Sequence, residues 1–400
     1  MADERSSRLS LRGAAFAALA LILFCPQRAA AQQTMTTVLG FLLTNKSIST
    51  EDFVQDEQAA SKTRDAMTSV LVGELGTLPV ESSAGGFTYR LNPALGSNER
   101  SSNSFGPFFT ERSLTTGRSQ ASFAVTVQSE AYDHIDGQSL GDGTLVAIAS
   151  TIRGAAEPFD VETISLHLRT DRMLFSGTYG LTDRLDIGAA VPFVRVALSG
   201  ERVDTYRGTR YLAAAASASA SGIGDVIVRG KFNVYRQNSS GVALGVESRL
   251  STGADANLLG TGRSAIKPLA IASLERDRVA VNGNVGYSVG GIADELEYGG
   301  AVTIAGTPRL TIIGEVLGRR IPSFGRLTTT IEPNPGLVDV DTIRLTAVPE
   351  TTNRLDTSIG FKWNVAGTWL LAFNVRRSVT TAGLNAGWVP MLTFDYSFAR

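Results

Sequence analysis

General-base or nucleophilic catalysis usually needs a histidine held against Ser, Cys or Asp, and this chain of 400 residues has two histidines. His134 stands in Asp133-His-Ile-Asp136, inside a long connection, where a catalytic base competes with an ordinary solvated side chain. His167 lies between Leu166 and Leu168, and strand alternation would point it, with Ser165 and Arg169, into a polar interior. A member of a polar network is the plainer reading of that position. Cys25 is the single cysteine, so zinc spacing is missing and no disulfide can form. Asp339-Val-Asp341 offers two carboxylates but lacks the spaced oxygens of a calcium loop. Gly260-Thr-Gly262-Arg-Ser264 imitates a phosphate loop without its lysine or its helix. None of these makes an active site, and the expectation is a protein without catalysis, cofactor or metal.

A second set of charged residues is more orderly. Arg229, Lys231, Glu247, Arg249, Glu315, Asp356, Lys362, Arg376 and Asp395 all alternate with apolar neighbours and so share one face of their strands. Asp225 to Tyr235 shows the rule: Val226, Val228, Gly230, Phe232 and Val234 on one side; Arg229, Lys231 and Asn233 on the other. In a dry core each uncompensated ion would cost several kcal/mol. A water-lined lumen with the apolar face turned to lipid removes that cost. Arg229, Lys231, Glu247, Arg249, Glu315, Lys362, Arg376 and Asp395 are therefore candidates for setting what a lumen admits, through local field and width.

The elements that must position them read as strands. Period two recurs at 279–289, 296–304, 310–316, 355–365 and 369–375. Segments 163–179 and 183–199 are less tidy: their apolar parity switches near Thr170 and near Phe193, which reads as bulges or bends. Pro192 and Pro268 weaken two strands. Short turns at 180–184, 236–241, 275–278, 306–309 and 366–368 alternate with longer connections at 132–161, 200–222, 251–265, 290–295, 319–354 and 379–388. Transmembrane barrels show this alternation, and the count gives about 12 antiparallel strands. Tyr179, Tyr235, Tyr287, Trp363, Trp369, Trp388 and Phe398 fall near strand ends, where interfacial girdles form. In the last strand Leu392, Phe394, Tyr396 and Phe398 would face lipid while Thr393, Asp395 and Ser397 face inward, closing the barrel against a first strand near 118–130. The run Ala213-Ala-Ala-Ala-Ser-Ala-Ser-Ala-Ser221 reads as a low-complexity outside loop.

Ahead of the barrel, Arg5, Arg8 and Arg12 precede an apolar run and then an A-x-A site, the pattern of a signal peptide over 1–31. Residues 32–117 differ from both neighbours. Ser49-Thr-Glu-Asp52 resembles a capping box, and Phe53, Val54, Met67, Val70, Leu71 and Leu75 fit one or two short amphipathic helices. This segment is either a plug inside the lumen or a periplasmic extension. A net charge of −1 argues against nucleic acid as a partner.

Tyr179-Gly-Leu-Thr-Asp-Arg-Leu-Asp-Ile-Gly-Ala-Ala-Val-Pro-Phe193, with Ser221-Gly-Ile-Gly-Asp-Val-Ile-Val-Arg-Gly-Lys-Phe232 and Leu250-Ser-Thr-Gly253, resembles the outer-membrane family named for the MetA-pathway of phenol degradation and described as transporters. The resemblance covers roughly 160–400. It implies a barrel that passes small, often apolar or aromatic molecules, and it transfers no catalytic residues. The expectation is thus an all-β, monomeric outer-membrane barrel over 118–400 with a short helical or irregular N-terminal segment. Its partners would be outer-membrane lipid, the barrel assembly machinery and a small permeant. A non-conducting surface-binding barrel and, less favoured, a barrel enzyme using His134 or His167 are the alternatives.

Overall fold

The computed structural model describes residues 33–43, 53–76, 79–92 and 97–398. The signal-peptide region 1–31 and the Ser49–Asp52 box lie outside them. Two helices, Met35–Leu43 and Phe53–Gly76, precede eighteen strands. These are β1 (Tyr89–Asn92), β2 (Ser97–Arg100), β3 (Ala121–Ile135), β4 (Gln138–Ser139), β5 (Leu145–Ile152) and β6 (Asp160–Gly180). Next come β7 (Leu185–Tyr206), β8 (Thr209–Ile223), β9 (Val226–Gln237), β10 (Ser240–Leu250), β11 (Ala265–Arg276) and β12 (Val279–Gly290). The remainder are β13 (Glu295–Thr307), β14 (Leu310–Pro333), β15 (Val340–Ala366), β16 (Trp369–Ser378), β17 (Leu384–Ala386) and β18 (Val389–Phe398).

Twelve of them close an antiparallel barrel: β3, β6, β7, β9 through β16, and β18, which pairs back on β3. The closing register sets Leu392 against Val127, Phe394 against Val125 and Phe398 against Ala121, so the terminal strand is the seam expected of it. Closure leaves no backbone edge in this ring, the condition for crossing lipid with strands. No helix among the described residues is long and apolar enough to cross a membrane.

Outward positions in the lower part of the barrel are apolar and exposed, as at Val228, Phe232, Val246, Val285, Val316 and Ile359. Tyr179, Tyr235, Trp363, Trp369 and Phe398 stand exposed near the short-turn rim. An apolar band about 25 Å tall between aromatic girdles is what a transmembrane barrel presents to lipid.

The long connections are largely sheet rather than loop. β7 and β8 continue upward as a hairpin, β14 and β15 as another, and β5 joins β6 to β15. The result is a six-stranded extension in the order β8-β7-β6-β5-β15-β14. Here the pattern inverts. Along β6 the even positions point inward throughout, with unbroken pairing to β7. Below Thr170 those inward residues are Arg172, Ser176 and Thr178, with Leu174 the apolar exception; above it Ile164, Leu166 and Leu168 come first and Glu162 and Asp160 follow at the far end, each buried. β7 does the same, with Asp186 below and Val194, Val196 and Leu198 above. The parity switches at Thr170 and Phe193 are therefore not bulges. They mark where the sheet leaves lipid, so that water lies outside and the two helices lie inside. His167 and Arg169 consequently face outward and are exposed, with Ser165 on the same side, which corrects their expected inward direction.

The Ala213–Ser221 run is likewise β8 and not a loop. Ala214 is buried, and Ala216, Ala218 and Ala220 pack on the apolar core, while Ser217 and Ser221 face out. Methyl groups on that face leave room for helix 35–43, whose Met35, Val38, Leu39 and Leu42 are fully buried. Gly200 on β7 helps: a Cβ there would come within 2.8 Å of the Leu42 side chain. Helix 53–76 buries Met67, Val70, Leu71 and Leu75 against Ile321, Phe324, Leu327 and Leu345, while Val54 stays exposed. Each such side chain contributes about 1.5–3 kcal/mol of burial.

The prolines fit where a backbone donor is not needed. Pro192 sits where β7 exchanges β9 for β8 as its neighbour, and Pro268 sits where pairing between β11 and β12 lapses.

Candidate functional site: the lumen and its inner segment

The described parts of the 79–117 segment, 79–92 and 97–117, lie within the lower barrel, bonded to its inner wall. Glu111 is the hub. It accepts from Ser83 N–H at 2.6 Å and from Ser83 Oγ at 2.7 Å, and it pairs with Lys231 at 3.2 Å and Arg229 at 3.5 Å. Burial alone would raise this carboxyl, but the Lys231 and Arg229 cations and the Ser83 donors outweigh it, and the net shift is downward. Lys362 donates to the Gly85 and Pro107 carbonyls, both at 2.9 Å. Glu315 accepts the Phe109 and Thr110 amides, the latter at 3.0 Å. Glu81 accepts from Thr393 at 2.6 Å and also from Thr126. Arg112 holds the segment's own fold by donating to Gly86 O at 2.6 Å and Ser104 O at 3.3 Å.

Above this segment, ion pairs run round the wall. Lys267 bridges Glu247 (3.1 Å) and Glu297 (2.9 Å). Arg319 binds Glu295 at 2.7 Å, and Arg319 and Arg354 both reach Glu74 of helix 53–76, at 3.4 and 2.7 Å. Asp356 joins Arg354 (3.2 Å) to Arg376 (2.9 Å), and Arg376 also pairs with Glu130. The belt lies at the level where the strands change from polar to apolar inner faces. Charges there avoid both lipid outside and the helix core above.

The eight lumen candidates thus divide. Arg229, Lys231, Glu315 and Lys362 hold the inner segment. Asp395, half-buried beside Gly86 and bonded by Ser397 Oγ at 3.5 Å, adjoins it. Arg376 and Glu247 belong to the belt, and Glu247 and Arg249 also line open space. Sequence reading missed Glu111, Lys267, Glu297, Arg319 and Arg354. Parity along β11 would have placed Lys267 inward with Leu269 and Ile271, had Pro268 not obscured the strand. Arg319 and Arg354 were assigned to a connection.

The open space is a series of cavities, the upper two on the β9–β14 side. The upper one, about 600 Å³ including its open part, is lined by Glu74, Glu295, Arg319, Phe324 and Ile292. The middle one, about 820 Å³ including open space, is lined by Val80, Phe109, Arg249, Asn284 and Leu317. They share Glu247, Arg249, Lys267, Glu297 and Arg319. Two lower cavities follow, one along Asp186, Lys231 and Ile271, the other along Ser122, Ser176, Lys362 and Asp395. Arg229 lines the middle cavity and both lower ones.

The chemistry-bearing motifs resolve into structure. Asp225, at the corner between β8 and β9, accepts from Gly253 N (3.0 Å) and from Thr261 N and Oγ1 (both 2.7 Å), pinning the 251–264 connection. The phosphate-loop imitation is therefore a wall loop held by one carboxylate. In the 179–193 stretch Thr182 Oγ1 accepts the Arg184 and Leu185 amides, and Asp186 accepts Thr116 N at 2.8 Å, so a turn doubles as an anchor for the inner segment. His134 pairs only with neighbouring Asp133 at 3.1 Å among the ion pairs of the described residues, and both are exposed. Asp341 is engaged by Arg153 at 2.7 Å rather than left to a cation. Groups of three or more His, Cys, Asp or Glu able to hold a metal are absent among the described residues.

Residues 116–305 match the family model described as "Putative MetA-pathway of phenol degradation", which bears out the resemblance carried by 179–193 and 221–253. Among solved structures, an outer membrane channel from Pseudomonas putida F1 is 13% identical, with 71% of this chain and 97% of that one covered and a TM-score of 0.44. The CymD monoaromatic hydrocarbon channel is 9% identical (71% and 90% covered, TM-score 0.36). The translocator domain of the autotransporter NalP from Neisseria meningitidis is 10% identical (70% and 89% covered, TM-score 0.36). Likenesses this distant carry nothing about what passes or binds. No curated protein matches the chain.

Proposed function

We propose that this protein is an outer-membrane channel through which small molecules diffuse passively, with the described parts of the 32–117 segment as a plug that narrows the lumen without filling it. The observation that supports the reading is the series of cavities. They share residues from the upper mouth to the short-turn end, and Arg229 borders three of them. A barrel built only for rigidity would have no use for a water-accessible, charge-lined space beside its plug. The short turns would face the periplasm and the extended hairpins the cell exterior.

Selectivity would rest on Arg229, Glu247, Arg249, Lys267 and Glu297, whose alternating charges meet apolar Val80, Phe109, Leu269 and Leu317. Such a lining suits a small molecule with an apolar or aromatic body, in keeping with what the resemblance implies. An enzymatic role gains no support from His134 or His167, both exposed on the outer surface. Assembly would proceed through the barrel machinery, and the working unit would be the monomer.

Planar-bilayer recording tests the proposal. Refolded protein should give small discrete conductance steps. Charge reversal as Arg229→Glu with Arg249→Glu should move ion selectivity toward cations. A silent wild type would favour the non-conducting barrel, and an open channel with unmoved selectivity would remove the arginines from the filter.

A further inference from the structure

Where the apolar band ends on its upper side, four arginines point outward: Arg169 on β6, Arg195 on β7, Arg320 on β14 and Arg377 on β16, all exposed. Two residues nearer the short turns on the same strands and the same face lie Phe193 below Arg195 and Val375 below Arg377. Below Arg320 come Gly318 and then Val316. On β7, β14 and β16 these arginines are therefore the first charges met on leaving lipid, whereas on β6 Asp171 comes one step before Arg169. Arg377 stacks over Trp388, its Cζ 4.9 Å from the ring centroid, and Trp388 is 64% exposed. An exposed indole with a cation on its face, at the level where apolar outward residues give way to charge, is an interfacial arrangement.

Outward positions of β14 up to Arg320, of β15 from Asn353 down, and of β16 carry no carboxylate: the polar ones near the arginines are Asn353 and Thr357. Arg320 is in register with Asn353, and Arg377 with Thr357. The other pair is partly neutralised. Arg169 Nη2 lies 3.2 Å from Asp171, which also accepts from Ser129 Oγ at 2.7 Å and stands in register with Arg195.

We propose that this collar binds the phosphate groups of a phosphorylated lipid headgroup in the outer leaflet, with Arg320 and Arg377 as the stronger half and Arg169 with Arg195 as the weaker. A guanidinium fork matches a phosphate with two parallel hydrogen bonds. Its height places it where lipid phosphates lie, and the tryptophan beside Arg377 supplies the apolar contact that a free anion would not use. The inference rests on the membrane-spanning band and not on conduction, so a non-conducting barrel would leave it standing.

The test titrates the full protein, in neutral detergent, with diphosphoryl lipid A, with the same lipid dephosphorylated, and with inorganic phosphate, reading bound lipid by native mass spectrometry. Diphosphoryl lipid should bind at least about tenfold tighter than its dephosphorylated form, a difference in keeping with one or two juxtamembrane arginines. Arg320→Gln with Arg377→Gln should remove most of that difference, whereas Arg169→Gln with Arg195→Gln should remove less. Arg320→Lys with Arg377→Lys should keep part of it. If the double glutamine variant does not assemble, Arg377→Gln alone should weaken binding about threefold. Equal binding of the two lipids, an unchanged preference in the Arg320/Arg377 variant, or displacement of the lipid by millimolar inorganic phosphate would overturn the proposal.

Discussion

Below Thr170 the wall of this barrel is apolar outside and polar inside; above it the same continuous strands are polar outside and apolar inside. β6 and β7 run through both regimes without a register shift. The difference teaches that strand polarity reports the solvent on each face and not the fold, which is one sheet throughout. In the lower region lipid is outside and a hydrogen-bonded inner segment is inside, held by Glu111, Glu315 and Lys362. In the upper region water is outside, and two helices supply the core that lipid does not. The belt around Arg319, Arg354 and Arg376 lies between the two.

The largest expected effect falls on the seam between regions. Glu74→Ala would leave Arg319 with Glu295 and Arg354 with Asp356 but take both charge-assisted bonds from helix 53–76, at about 1.5–3 kcal/mol each. Hydrogen exchange should show that helix opening while the strands of the lower barrel keep their protection. Equal loosening of both would mean the regions are not separable. Next comes an outward charge in each region. Val285→Arg, in the lower band, should cost about 2–4 kcal/mol in lipid vesicles, while Ala197→Arg, outward on the upper part of β7, should stay within about 0.5 kcal/mol. Urea unfolding of both variants decides the matter, and equal costs would break the inversion.

A smaller effect is expected from acid. Glu111 is held below its ordinary carboxylate value, so its contribution is fully present above the unfolded value of about 4.3 and fades as pH falls through the lower, folded one. Protection of 79–117 should therefore be flat from neutrality to about pH 5 and decline only below about pH 4. Glu111→Gln should flatten that decline. The smallest effect belongs to His167→Ala, at an exposed upper position, which should change neither stability beyond about 0.5 kcal/mol nor any conductance.

Much of the lower region was legible in the sequence because lipid imposes one rule on it. Val226 through Val234 and Leu392 through Phe398 alternate cleanly, and the inward direction of Arg229, Lys231 and Asp395 followed. The upper region was misread for the same reason. With lipid assumed outside at every level, Ile164, Leu166 and Leu168 looked like a slipped strand, and His167 was turned inward. β8 escaped because alanine and serine differ too little in polarity to announce a period of two. Glu111 and Glu74 could not be assigned, since nothing local ties a carboxylate on a glycine-rich segment or on a helix to arginines more than a hundred residues away.

A permeation route past the inner segment is the central claim, and one-sided thiol labelling tests it most directly. Thr178, an inward residue of β6 lining both lower cavities, would be replaced as Thr178→Cys in protein oriented in vesicles; the chain's own single cysteine is Cys25. A small, membrane-impermeant thiol reagent added only on the side of the long hairpins should modify Thr178→Cys, and more slowly once Arg249, upstream on the route, is enlarged as Arg249→Trp. Labelling from the short-turn side alone would contradict the route and leave a closed barrel.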